Sequence, residues 1–106
     1  MTTYNGWSNY ETWLANLWIR NDEGLEGMVI ERMADVAEYG CALDPIEYDV
    51  ASLLSAFFED QTTGFSESGF FADVINNALR TVNWNEIAKH FVHDCEDQLS
   101  AIMHAE

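Results

Sequence analysis

The sequence predicts an all-α fold, a compact single-domain bundle of about five amphipathic helices. Three observations predict it: apolar residues recur at helical spacing in separate stretches, no stretch alternates apolar and polar residues as a half-buried strand does, and no internal repeat is present. With 106 residues, 48% of them apolar and 13% aromatic, the chain is long enough for one core, too short for two, and too rich in apolar surface to stay disordered. One acidic helical domain over residues 1–106 is the expectation.

The first helix is expected to open on an S-x-x-E capping box, Ser8 with Glu11. Tyr10, Trp13, Leu14, Leu17 and Trp18 then form its apolar stripe, and Trp13 and Trp18 are assigned to the core. The polar, Gly-containing segment Asn21-Asp22-Glu23-Gly24 ends it near Asn21. Leu25, Met28, Val29, Met33 and Val36 place a second helix over residues 25–39, with Gly40 as its left-handed C-terminal cap. Asp44, Pro45 and Glu47 supply an N-cap, a first-turn proline and a reciprocal cap for the third. Its apolar face is Ile46, Val50, Leu53, Leu54, Phe57 and Phe58, and it ends before Thr63-Gly64.

Residues 62–69 read as a loop. Helical spacing resumes with Phe70, Phe71, Val74, Ile75, Ala78 and Leu79. Asn83 with Glu86 forms an N-x-x-E box, flanked by the staple pair Val82 and Ile87. From Trp84 the stripe of the last helix runs through Ala88, Phe91, Cys95, Leu99 and Ile102, giving about six turns. Ahead of the first helix, Tyr4, Asn5, Gly6 and Trp7 read as an ordered lead-in packed on the core.

Charge narrows the function. There are 19 Asp and Glu against 4 Lys and Arg, a formal net charge of −15. Such a chain repels DNA, RNA and anionic membranes, because phosphate binding depends on Lys and Arg displacing counterions. No apolar run reaches the ~18–20 residues of a membrane span, and the N-terminus lacks the pattern of a secretory signal, so a cytoplasmic protein is expected. Cys41 and Cys95 have no metal-binding or disulfide-framework spacing and read as two buried thiols.

Ten acidic residues lie in positions 1–53 and nine in 54–106, so no acidic tail accounts for the excess. Glu31, Asp35 and Glu38, at i, i+4 and i+7, put three like charges on one helix face. A sphere for a chain of this length is roughly 35 Å across. Duplex DNA over that length carries about 20 phosphates at one per ~1.7 Å. A DNA-mimic surface fits these numbers; so does the acidic composition of a protein from a high-salt cytoplasm, and a solvated helix face explains the single stripe.

Catalytic motifs are lacking: there is no GxSxG, P-loop, GxGxxG, HExxH or CxxC, and no enzyme activity or cofactor is implied. His90–Asp94 and His93–Asp97 are spaced i, i+4 on a predicted exposed face. They read as surface ion pairs, since no second motif supplies the three or four ligands zinc needs, and no metal site is assigned. Trp7 and Trp84, before and at helix starts, are candidate anchors for a protein partner.

The stretch Asn5-Gly6-Trp7-Ser8-Asn9-Tyr10-Glu11-Thr12-Trp13, followed by Leu17-Trp18 and Asn21, resembles the N-terminal signature of small acidic proteins carried by phages, plasmids and other mobile elements. Asn85-Glu86-Ile87-Ala88 echoes a later segment of the same group. The resemblance implies origin and size class and carries over no active site. Joined to the charge, it suggests an inhibitor of a host nucleic-acid-binding defence machine, of CRISPR or restriction type, that presents a DNA-like surface. The candidate partner-binding residues are Asp22, Glu23, Glu26, Glu31, Asp35 and Glu38, together with Trp7 and Trp84. The alternatives are an adaptor or inhibitor using the aromatic residues, with the charge incidental, and a small metal-dependent protein built on His90 and His93. A homodimer would align two acidic faces into a longer track.

Overall fold

A computed structural model describes residues 4–39, 43–61 and 69–103, and these described residues form six helices. They are α1 (Tyr10–Asn21), α2 (Glu23–Ala37), α3 (Leu43–Gln61), α4 (Phe70–Thr81), α5 (Trp84–Asp94) and α6 (Glu96–Met103). The all-α prediction holds; among the described residues the only strand-like feature is a single antiparallel bridge between Tyr4 and Trp7. That bridge closes a two-residue turn in which Asn5 and Gly6 both have positive φ, 48° and 88°, the backbone that an Asn-Gly pair adopts most readily. Two 2.8 Å backbone hydrogen bonds join Tyr4 and Trp7 and order the lead-in.

Helix α1 starts one residue later than the Ser8 box predicts. Asn9 is the N-cap, its side-chain oxygen accepting from the Thr12 N–H at 2.8 Å. Ser8 is drawn elsewhere, its N–H donating to the Glu86 carboxylate at 3.2 Å. Asp22 serves two helices, since its backbone N–H caps Ile19 of α1 while its side chain accepts from Leu25 N–H at the start of α2. Helix α3 begins at Leu43, so Asp44 lies in the first turn rather than before it. Pro45 is tolerated there because first-turn N–H groups have no acceptor within the helix. The Asp44 side chain, Gly40, Cys41 and residues 62–68, where a loop is predicted, lie outside the described residues.

The predicted last helix is two. It ends at Asp94, Cys95 adopts φ −109° and ψ 12°, and α6 follows. Cys95 N–H is shared between the Phe91 and Val92 carbonyls, and Leu99 N–H returns to the Cys95 carbonyl, so the bend leaves these groups paired. The bend lets α6 pack against α2 and bury Leu99.

The core lies between α2, α3 and α5. Val29, Met33, Ile46, Val50, Leu54, Ile87 and Phe91 are completely buried, and α3 with α5 forms the most extensive helix pair. Val82 and Ile87, the predicted staple pair, are both buried in it. Arg20 ties α1, α2 and α5 together: its guanidinium lies 3.7 Å from the Phe91 ring centroid and pairs with Glu26 at 3.2 Å and Asp94 at 2.8 Å.

Two predicted core stripes are not in the core. On α1 the buried residues are Thr12, Ala15 and Ile19, while Trp18 is 66% exposed and Tyr10 and Leu17 also face solvent. On α4 only Ala72 is buried, and Phe70, Phe71 and Val74 are 74%, 72% and 49% exposed. The physical reason is steric: Ala15 and Ala72 allow close approach to the neighbouring helices, and the bulky residues occupy the opposite arcs.

Candidate functional site

The N-terminal stretch ahead of and into α1 builds a hydrogen-bonded junction between two helix starts. Asn9 Oδ1 accepts from the Thr12 hydroxyl as well as from its N–H, and Asn9 Nδ2 donates to the Thr81 carbonyl at 3.0 Å. The fully buried Thr12 hydroxyl accepts from Asn83 N–H at 2.8 Å. Asn83 Oδ1 in turn accepts from Glu86 N–H at 3.1 Å and caps α5. The expected reciprocal half of that box is absent because the Glu86 carboxylate holds Ser8. These residues are occupied in joining α1 to α4 and α5.

The candidate carboxylates divide into two groups. Asp22 is a helix cap and Glu26 is half-buried and paired with Arg20, so both serve the fold. Glu23, Glu31, Asp35 and Glu38 are exposed. Buried Leu25, Val29 and Met33 lie on the other side of α2, so Glu31, Asp35 and Glu38 project from its outward face. Glu23, Glu31 and Asp35 line an open groove of about 590 Å³ between α2 and α3 that also contains Gly27, Met28 and Arg32. Arg32 is committed to Asp49, with contacts of 2.8 and 3.0 Å, and this hydrogen-bonded pair raises the arginine pKa above its ordinary value. The groove thus keeps a net negative rim.

The molecule is longer than a sphere of this mass, with extents of 54 × 33 × 22 Å. Along 54 Å one DNA strand bears ~16 phosphates at 3.4 Å each, close to the chain's net charge of −15. The density is therefore that of one strand rather than of a duplex, a reduction from the spherical expectation.

The two candidate indoles sit apart. Trp7 is half-buried against His90, ring centroids 4.2 Å apart, while Trp84 packs on Phe58 at 5.2 Å. Positions 84 and 90 are about 120° apart around α5 at 3.6 residues per turn. Trp84 contributes to an apolar cleft of about 170 Å³ with Leu14, Trp18, Phe58 and Leu79. The predicted His90–Asp94 pair is replaced: Asp94 turns to Arg20, and His90 lies under Trp7. Among the described residues no three His, Cys, Asp or Glu side chains converge as a metal site would require. Cys95 is half-buried rather than buried, and desolvation, then the Asp94 charge, raises its thiol pKa.

Sequence reasoning missed the outward surface of α1 and α4, where Trp18, Phe70, Phe71 and Val74 are exposed. A signal existed in the second periodic set Thr12, Ala15 and Ile19, which gives α1 a face of smaller residues to bury.

Fold and surface together define an acidic all-α protein whose outer helix faces are of two kinds, carboxylate-bearing and aromatic. The chain belongs to a family of unknown function, DUF7249, which matches residues 1–104. No curated protein and no solved structure matches it. No helix among the described residues is long and apolar enough to cross a membrane.

Proposed function

We propose that this protein is a binding protein rather than an enzyme: an inhibitor encoded by a phage or other mobile element that occupies the basic groove of a host nucleic-acid-binding defence complex, of CRISPR or restriction type, in the host cytoplasm. The observation that carries this reading is the exposed row Glu31, Asp35 and Glu38 on a molecule whose charge per length approaches that of a DNA strand. Steps of four and three residues space these carboxylates by about 6 and 4.5 Å along the helix axis. Phosphates recur every ~3.4 Å along the duplex axis, so each step spans one to two phosphates. Carboxylates standing in for phosphates would attract Lys and Arg over a long range, which speeds association and makes it sensitive to salt.

The test is capture of a host nucleic-acid-binding protein on the immobilised chain, followed by competition with duplex DNA. The expected result is release by DNA, weaker binding as salt rises, and loss of binding when Glu31, Asp35 and Glu38 are all changed to Lys. Binding indifferent to DNA, to salt and to the triple reversal overturns the reading. A second reading, an adaptor or inhibitor that selects its partner through an aromatic residue, is favoured by Trp84 at the apolar cleft. In that case Trp84→Ala abolishes capture and the triple reversal does not.

A further inference from the structure

Two helices of this molecule turn apolar faces outward side by side. Projected at 100° per residue, the outward arc of α1 carries Tyr10, Trp13, Leu14, Leu17 and Trp18 with Asn21, and contains no charged residue. The apolar arc of α4 runs from Phe70 through Val74, Ala78 and Phe71 to Ile75, Leu79 and Ala72. Only its far side is covered, and the uncovered half also lacks a charge. The helices pack on each other, and Leu14 and Trp18, with Glu11 at the edge, face Ala78 and Leu79 across the apolar cleft, which joins the two arcs into one surface.

We propose that this surface is the contact of a two-fold dimer of the chain, α1 and α4 of one copy packing on α4 and α1 of the other. Two arguments select a second copy as the occupant. The first is area. At roughly 200 Å² per aromatic side chain, the exposed parts of Tyr10, Trp18, Phe70 and Phe71 amount to about 500 Å². One side of a standard interface buries ~800 Å², of which somewhat over half is apolar, so the surface is of the size a stable dimer needs.

The second argument is charge. A basic partner would be drawn to the faces that carry carboxylates, such as α2 with Glu23, Glu31, Asp35 and Glu38. The outward arcs of α1 and α4 offer it only Glu11, half-buried at the edge of the cleft that joins them. For two chains of net charge −15, the face with the fewest charges is where they approach with least repulsion. The contact is isologous, so one apolar arc meets its own copy and the two α2 rows remain outside. The inference stands independently of the function proposed above, and its salt dependence has the opposite sign. Screening relieves repulsion between like-charged chains and leaves apolar burial intact, so the dimer tightens as salt rises, whereas a charge-driven partner is released.

Sedimentation equilibrium of the full chain tests this. The expected mass is twice the 12.1 kDa of the chain, with a dissociation constant that falls as NaCl rises. Trp18→Ser and Phe71→Ser each weaken the dimer at least about tenfold, the effect of uncovering one large apolar side chain. Their far-UV circular dichroism stays unchanged because both residues are exposed. A chain that sediments as a monomer at every salt and concentration up to ~1 mM, well above the micromolar affinity of specific interfaces, overturns the proposal. A dimer unaffected by either serine variant overturns it too. Loss of a captured basic partner in those variants, with the chain itself monomeric, assigns the face to that partner and also overturns it.

Discussion

Helices α4 and α5 are of similar length and both carry a well-segregated apolar face, yet they meet opposite fates. In α5 Ile87, Ala88, Phe91 and Val92 are all at most 2% exposed, whereas α4 leaves Phe70, Phe71 and Val74 in solvent. The difference lies in their neighbours. Helix α5 packs against α1, α3 and α6, while α4 lies at the edge and touches α1 and α3. Helical periodicity reports that an apolar face exists; the number of helices available to cover it decides whether it becomes core.

The sharpest way to break this comparison is to truncate one phenylalanine on each helix. Phe91→Ala removes a fully buried ring and Arg20's stacking partner and is expected to cost about 3–5 kcal/mol in urea denaturation. Phe71→Ala, measured at a concentration where the chain is monomeric, is expected to change stability by less than about 0.5 kcal/mol. Similar losses at the two positions would mean that α4 contributes to the core as α5 does.

Below that in magnitude is the junction linking the two helix starts. Thr12→Val keeps the shape but leaves Asn83 N–H without its acceptor, and the expected cost is about 1–3 kcal/mol. A neutral result would show that water replaces the threonine hydroxyl there.

The sequence made some of this contrast legible and concealed the rest. The start of α4 at Phe70 follows from the return of helical spacing after the polar stretch, and the Asn83 cap of α5 from a side chain whose local chemistry has few alternatives. The exposed row on α2 follows from spacing alone, because Leu25, Val29 and Met33 leave the carboxylates only the opposite side. The direction of α1 did not follow, because it has two periodic faces, one aromatic and one of smaller residues, and propensity does not rank them. Nor did the bend at Cys95, which has no proline or glycine beside it; it is a tertiary event that brings Leu99 onto α2. Sequence spacing likewise could not show that Glu26 is paired, since Arg20 reaches it only once α1 and α2 have packed, whereas the Asp22 cap is local chemistry hidden only by placing the start of α2 two residues too late.

The caps refine the comparison at lower energy. Asn83 accepts one hydrogen bond from Glu86 N–H, so Asn83→Ala is expected to cost about 1 kcal/mol. Asn9 makes three contacts, to Thr12 N–H, the Thr12 hydroxyl and the Thr81 carbonyl, and Asn9→Ala is expected to reach about 2 kcal/mol. Equal costs would show that the link from α1 to α4 adds nothing beyond capping.

The smallest expected effect lies where α5 gives way to α6. Burial, then the Asp94 charge, raises the Cys95 thiol pKa, with Arg20 opposing them and Glu26 adding to the increase. The folded state therefore holds the proton more tightly than the unfolded chain. Its contribution to stability is complete below the ordinary thiol range and declines as pH rises through that range towards the raised value. In a Cys41→Ser background, alkylation of Cys95 should need higher pH in the native protein than in urea, because the thiolate is the reactive form. Asp94→Asn removes the second cause and the opposing charge of Arg20 remains, so the native profile should move part of the way back towards the unfolded one. A native profile that coincides with the unfolded one would mean that the bend exposes Cys95 fully, and that the end of α5 lacks the cover which distinguishes its centre from α4.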